Sequence, residues 1–110
     1  MARLWWQSFT KAAAHEYRFT PAATRQLEFA VSSYNLRNPG VGEAFLDEFV
    51  RTVALIQSFP EAWPVHAGII RRCRLRKFPY TILYQREDDS LVVPGIPHLH
   101  SNPEEWPAES

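Results

Sequence analysis

The sequence predicts a small α+β domain in which a helical hairpin packs on a small antiparallel sheet, in the order β-α-α-β-β-β. Three observations carry that prediction. Two consecutive stretches between residues 21 and 59 repeat their apolar residues at three- and four-residue steps. From Ile69 the helical period gives way to runs with strand character. The chain has only 110 residues, which is enough for one core and excludes a multidomain enzyme. Its 45% of hydrophobic and 22% of charged residues also exclude a disordered chain, which would be poorer in apolar side chains and richer in net charge.

Residues 1–16 read as an N-terminal extension, in which Trp5-Trp6 and the three adjacent alanines suit a short helix. The single domain spans residues 17–106, and 107–110 form a tail. Tyr17 to Thr20 alternates apolar and polar residues and suits a short, edge strand. Thr20-Pro21 supplies a capping hydroxyl followed by proline at the first helical position, where a missing N–H costs nothing. Leu27, Ala30, Val31 and Tyr34 then share one helical face, up to the break at Asn38-Pro39-Gly40. A second helix from about Val41 to Phe59 presents Gly42, Phe45, Leu46, Phe49, Val53 and Ile56 to the same core and an acidic face to water. Two helices joined by so short a break pack antiparallel. Pro60, Pro64 and Gly68 punctuate a loop, and strands are expected at Ile69–Phe78, Tyr80–Arg86 and Leu91–Ile96. Pro94 cannot donate to a ladder, so it marks an edge or a bulge in the last strand.

Twelve basic residues balance twelve acidic ones, and a net charge of zero argues against a partner held by bulk electrostatics. The balance is uneven along the chain. Arg71 to Lys77 holds five basic residues and no acid, leaving seven basic against twelve acidic residues elsewhere. In a strand, alternation sends Cys73 and Leu75 to one face and Arg72, Arg74 and Arg76 to the other, about 6–7 Å apart. Guanidinium forks at that spacing suit a row of phosphates or a carboxylate-rich partner, and arginine outnumbers lysine four to one here. The single cysteine, Cys73, excludes an intramolecular disulfide and a cysteine-based zinc cluster, which fits a reducing cytoplasm. Four scattered histidines add no metal-ligand spacing, no cofactor motif is present, and no segment has the apolar length of a membrane span.

The stretch from Gly68 to Trp106 resembles the RelE/ParE superfamily of type II toxin–antitoxin toxins. The resemblance rests on Phe19-Thr20-Pro21-Ala22-Ala23, Gly42 and Phe45, Phe59-Pro60 with Trp63-Pro64, and the basic strand leading into Phe78-Pro79-Tyr80. Ile82-Leu83-Tyr84 and the closing His98, Pro103 and Trp106 complete it. It implies the fold already read from the residues, a growth-inhibiting toxin of the plasmid-stabilisation type in bacteria, and a cognate antitoxin that neutralises it. That antitoxin is expected to dock through an amphipathic segment with acidic residues facing the arginines. A homodimer or a toxin–antitoxin heterocomplex is compatible with this.

Members of the superfamily act in two ways: ParE-like toxins bind and inhibit DNA gyrase, whereas RelE-like toxins cut messenger RNA on the ribosome. Cleavage needs an acid, a base and cations near the phosphate. His98 and His100 are the candidates for proton transfer, and Arg72, Arg74, Arg76 and Lys77 for binding the target or its phosphates; His15 and His66 fall outside any matching motif. Many relatives close with His-x-x-Arg-x-Pro-x-Tyr-Trp, but here Ser101 stands at the arginine position and Glu105 at the tyrosine position. Both are functional in the nucleases. The resemblance therefore implies a ParE-like binding toxin ahead of an endoribonuclease, with a non-toxic antitoxin-binding module as a third reading.

Overall fold

The computed structural model describes residues 17–88 and 90–106. The N-terminal extension, with its expected short helix, and the tail after Trp106 lie outside the described residues. The chain forms β1 (Tyr17–Phe19), α1 (Pro21–Arg37), α2 (Val41–Ser58), β2 (Val65–Ala67), β3 (Ile70–Arg74), β4 (Thr81–Glu87) and β5 (Ser90–Gly95), and ends in a 3-10 turn at Pro103–Glu105. The helical hairpin lies on a five-stranded sheet of order β1-β5-β4-β3-β2. Four strands pair antiparallel, while β1 joins β5 in parallel, with Tyr17 opposite Leu91 and Phe19 opposite Val93. Among the described residues no helix is long and apolar enough to cross a membrane.

Local chemistry sets the two helices as their sequences predict. The Thr20 hydroxyl oxygen accepts a hydrogen bond from the Ala23 amide at 3.1 Å and donates to the Pro94 carbonyl, so one side chain caps α1 and ties it to β5. Between the helices, Gly40 takes the left-handed conformation that glycine adopts without cost (φ +95°) and offers no capping side chain. Asn35 of α1 does the capping instead: its Oδ1 accepts from the amides of Gly40 at 3.2 Å and Gly42 at 2.8 Å. The N-terminus of α2 is thus satisfied across the hairpin.

Ala23, Leu27 and Ala30 of α1 and Phe45, Phe49, Val53 and Ile56 of α2 are buried against Cys73, Leu75, Ile82, Tyr84, Leu91 and Val93 of the sheet side. An aromatic cluster closes one end of this core, with Phe78 edge-on to both Phe45 and Tyr34 at 5.1 Å between ring centres. Burial pushes the Cys73 thiol up to about 11, so it is an unreactive core group.

Three details differ from the sequence reading. Val65-His66-Ala67, expected in a loop, pairs with β3 as a short edge strand, because Pro64 and Gly68 bound a hairpin there. Pro94 sits in a strand flanked on both sides. It is tolerated because the ladder shifts register between Leu83–Gly95 and Gln85–Val92, so the expected bulge is present and the expected edge is not.

The third difference concerns the basic strand, which ends at Arg74 rather than at Phe78. The Leu75 amide still donates to the Tyr80 carbonyl at 2.9 Å, and the chain then bends from Arg76 to Pro79, so Arg76 lies beyond the strand that carries Arg72 and Arg74. The cause is Glu48, which α2 presents to the interior instead of to water. Only 8% exposed, its carboxylate accepts from the amides of both Arg76 and Lys77. Two backbone donors aimed at one carboxylate end the ladder and fix the turn that carries Phe78-Pro79-Tyr80.

Candidate functional site, a cationic cleft

The register of β3 and β4 places Arg72 opposite Leu83 and Arg74 opposite Thr81. Alternation puts these four on the face away from the helical hairpin, since Cys73 and Ile82 enter the core. Arg71, on the other face, is structural: its Nη1 donates to the Trp63 carbonyl at 2.7 Å and pins the loop after α2.

Arg72 and Arg74 open on a cleft of about 510 Å³ lined also by Trp63, His66, Thr81 and Trp106, with Pro64, Leu99 and Pro103 completing it. Arg72 donates to the Val65 carbonyl at 3.1 Å through one nitrogen, whereas the Arg74 guanidinium makes no hydrogen bond or ion pair among the described residues. The Trp106 side chain is held by two contacts. Its indole N–H donates to the Ser101 hydroxyl at 2.8 Å, and its ring lies 5.3 Å from that of His66. Ser101 in turn donates to the His98 carbonyl, so the residue at the relatives' arginine position is an anchor for the closing tryptophan. Asn102 caps the 3-10 turn by accepting from the Glu104 amide at 3.0 Å.

The two candidate histidines are elsewhere. His98 forms an isolated bridge with Tyr80, stacks edge-on to that ring at 4.9 Å, and lies 4.9 Å from the nearly parallel ring of His100. With Gln26, Phe29 and Tyr80 it lines a second cleft of about 360 Å³ beside α1, on which Trp106 also borders. Arg76 and Lys77, exposed in the turn after β3, line neither cleft. The family-motif residues Phe78, Pro79 and Tyr80 are structural neighbours of the C-terminal segment, the Leu99 amide donating to the Pro79 carbonyl at 2.8 Å. The histidine that does join the arginines is His66. Its position became meaningful only with β2, a three-residue strand that carries too little periodicity to be read.

The His98 Nδ1 accepts from the His100 amide at 3.0 Å, which requires an unprotonated Nδ1. Burial, and then the neighbouring His100, hold its pKa below the ordinary histidine value. The unfolded chain therefore binds this proton first as pH falls. The stability tied to neutral His98 is present above about pH 6.5 and is lost as pH falls from there through the lower folded value. His98→Asn keeps an acceptor and removes the titration. Melting curves between pH 7.5 and 5 are expected to show a smaller loss of melting temperature for this variant than for the wild type; equal losses would contradict the assignment.

A helical hairpin on a small sheet, with a basic strand beside a closing Pro-x-x-Trp turn, is the architecture of a RelE/ParE superfamily toxin, as the sequence resemblance implies. Residues 17–98 match the family described as ParE toxin of type II toxin-antitoxin system, parDE. The chain belongs to that family, and membership implies an antitoxin partner. A solved structure described as the chromosomal ParDE toxin-antitoxin system from P. aeruginosa superposes with a TM-score of 0.66 at 14% identity, over 76% of this chain and 95% of that one, a likeness of fold. No curated protein matches the sequence.

Proposed function

We propose that this protein is a growth-inhibiting toxin that acts in the cytoplasm by binding DNA gyrase, without hydrolytic chemistry of its own, and is neutralised by a cognate antitoxin. The observation that supports binding over RNA cleavage is the separation of the proton-transfer candidates from the cations. His98 and His100 lie outside the cleft that holds Arg72 and Arg74, and His66 is the one titratable acid or base among the described residues lining it. In-line cleavage needs both an acid and a base at the phosphate. The residue at the relatives' arginine position, Ser101, has its hydroxyl engaged by Trp106 and His98.

The neutral total charge agrees with a protein target, because it provides little long-range attraction to a polyanion. The purified toxin is expected to block gyrase supercoiling in proportion to its concentration, with activity restored by the antitoxin. Normal supercoiling at large toxin excess would remove this reading. New transcript ends within translated codons after induction would replace it with ribosome-dependent RNA cleavage.

A further inference from the structure

We propose that residues 1–16 dock as a third layer on the outer face of the sheet, the face away from the helical hairpin, with Trp5 and Trp6 over Ile70, Leu83 and Gln85. This inference rests on the fold and not on the gyrase reading. Ladder register assigns the face. Arg72 pairs with Leu83 and Gln85 with Val92, while Cys73, Ile82, Tyr84, Leu91 and Val93 enter the core beneath the helices. Alternation therefore sends Ile70, Leu83, Gln85 and Val92 to the other side. A sheet face left to water carries polar side chains, and this one does not. Ile70 and Leu83 are 0% exposed and Gln85 1%, yet neither Ile70 nor Leu83 belongs to the core under the helices.

The cover belongs to the same chain, because this burial is that of a single chain. Among the described residues, the C-terminal turn borders this face at its Thr81 end. Gln85 lies four residues further along β4, about 13 Å away. The tail 107–110, Pro-Ala-Glu-Ser, has no large apolar side chain, whereas residues 1–16 carry Leu4, Trp5, Trp6 and Phe9. They also start from the right place. Tyr17 stands opposite Leu91, and Leu91 opposite Arg86, so the chain enters β1 level with the Gln85 end of the face. Two strand spacings, about 10 Å, separate β1 from β4. Eleven residues lead from Trp6 to Tyr17, a reach of about 16 Å even when wound helically.

A polar detail selects the tryptophans. Gln85 Nε2 donates to Glu87 at 3.1 Å, and Glu87 also pairs with Arg18 at 2.9 Å, but the buried Gln85 Oε1 has no donor among the described residues. An orphan acceptor in an apolar patch requires a donor carried on an apolar body, and indole is such a group, since it donates and does not accept.

The test is an NMR measurement on the full chain with labelled isoleucine and leucine methyls. Nuclear Overhauser contacts are expected from the Trp5 or Trp6 indole to the methyls of Ile70 and Leu83, unchanged on tenfold dilution. Absence of these contacts, or contacts instead with the exposed Phe29 and Leu36 of α1, would overturn the proposal. A mixture of labelled and unlabelled chains tests a second copy as the cover: contacts between chains would overturn the proposal as well. Trp5→Phe and Trp6→Phe keep a ring and remove the N–H. One of them is expected to lower the folding equilibrium constant about two- to tenfold in the wild-type background and to have no effect beside Gln85→Leu. An equal loss in both backgrounds would overturn the assignment of Gln85 as the acceptor. The contacts in the unmodified chain decide the docking even if Gln85→Leu fails to fold. Gyrase supercoiling in a separate assay leaves each of these outcomes as it stands.

Discussion

Glu48→Ala is expected to destabilise the protein by on the order of 3 kcal/mol and to lower its melting temperature by roughly 10 °C or more. The carboxylate is buried on α2 and accepts two part-buried hydrogen bonds, from the amides of Arg76 and Lys77. Removing it leaves two backbone donors without a partner, and each such loss costs about 1–3 kcal/mol. The effect should reach the functional surface, because the turn held by Glu48 runs directly into Phe78-Pro79-Tyr80. The Pro79 carbonyl and Tyr80 backbone there support Leu99 and His98. Hydrogen exchange provides the diagnostic. The Arg76 and Lys77 amides should exchange much faster in the variant, while the central amides of α1 slow or speed only with global stability. Glu48→Gln retains one acceptor oxygen and should lose less. Wild-type stability in Glu48→Ala would show that the carboxylate is not what ends the basic strand.

The same carboxylate explains where the sequence was legible and where it was not. Helices are written locally: Thr20-Pro21 specified the start of α1, and the spacing of Leu27, Phe45, Phe49 and Val53 specified the buried faces that the structure shows. Leu75 is buried as alternation required, even though the strand has already ended. What alternation lacked was the contact between Glu48 and the amides of Arg76 and Lys77, twenty-eight and twenty-nine residues later in the chain, which has no local signature. Arg72 and Arg74 therefore lie within the strand, as expected, whereas Arg76 lies in the bend beyond it. The cleft was half legible for a similar reason. Its cations came from periodicity, and Trp106 from the resemblance. His66 depended on a three-residue strand whose existence is decided by pairing with β3, and a long-range ladder is not visible in the composition of one of its strands.

Gly42→Ala makes the second large effect, and here two opposing terms can be weighed. Alanine is the better helix former, so the substitution in α2 should gain about 1 kcal/mol from propensity. Against this, a Cβ at residue 42 would stand 2.5 Å from the Val31 carbonyl oxygen and 2.5 Å from Asn35 Nδ2. The Val31 oxygen belongs to the α1 backbone and cannot withdraw without separating the helices. Asn35 can rotate, but only by giving up the hydrogen bonds through which it caps α2 at Gly40 and Gly42. Overpacking costs about 1–3 kcal/mol and a lost cap about 1 kcal/mol more, so the steric term wins. A net destabilisation of roughly 2 kcal/mol is expected in denaturant titrations. Gly40→Ala is the control, because its Cβ would meet nothing within 4 Å and only the left-handed backbone (φ +95°) resists it. That costs about 1 kcal/mol. Asn35→Ala isolates the cap. If Gly42→Ala proves as stable as the wild type, the two helices approach less closely than the contact at Val31 requires.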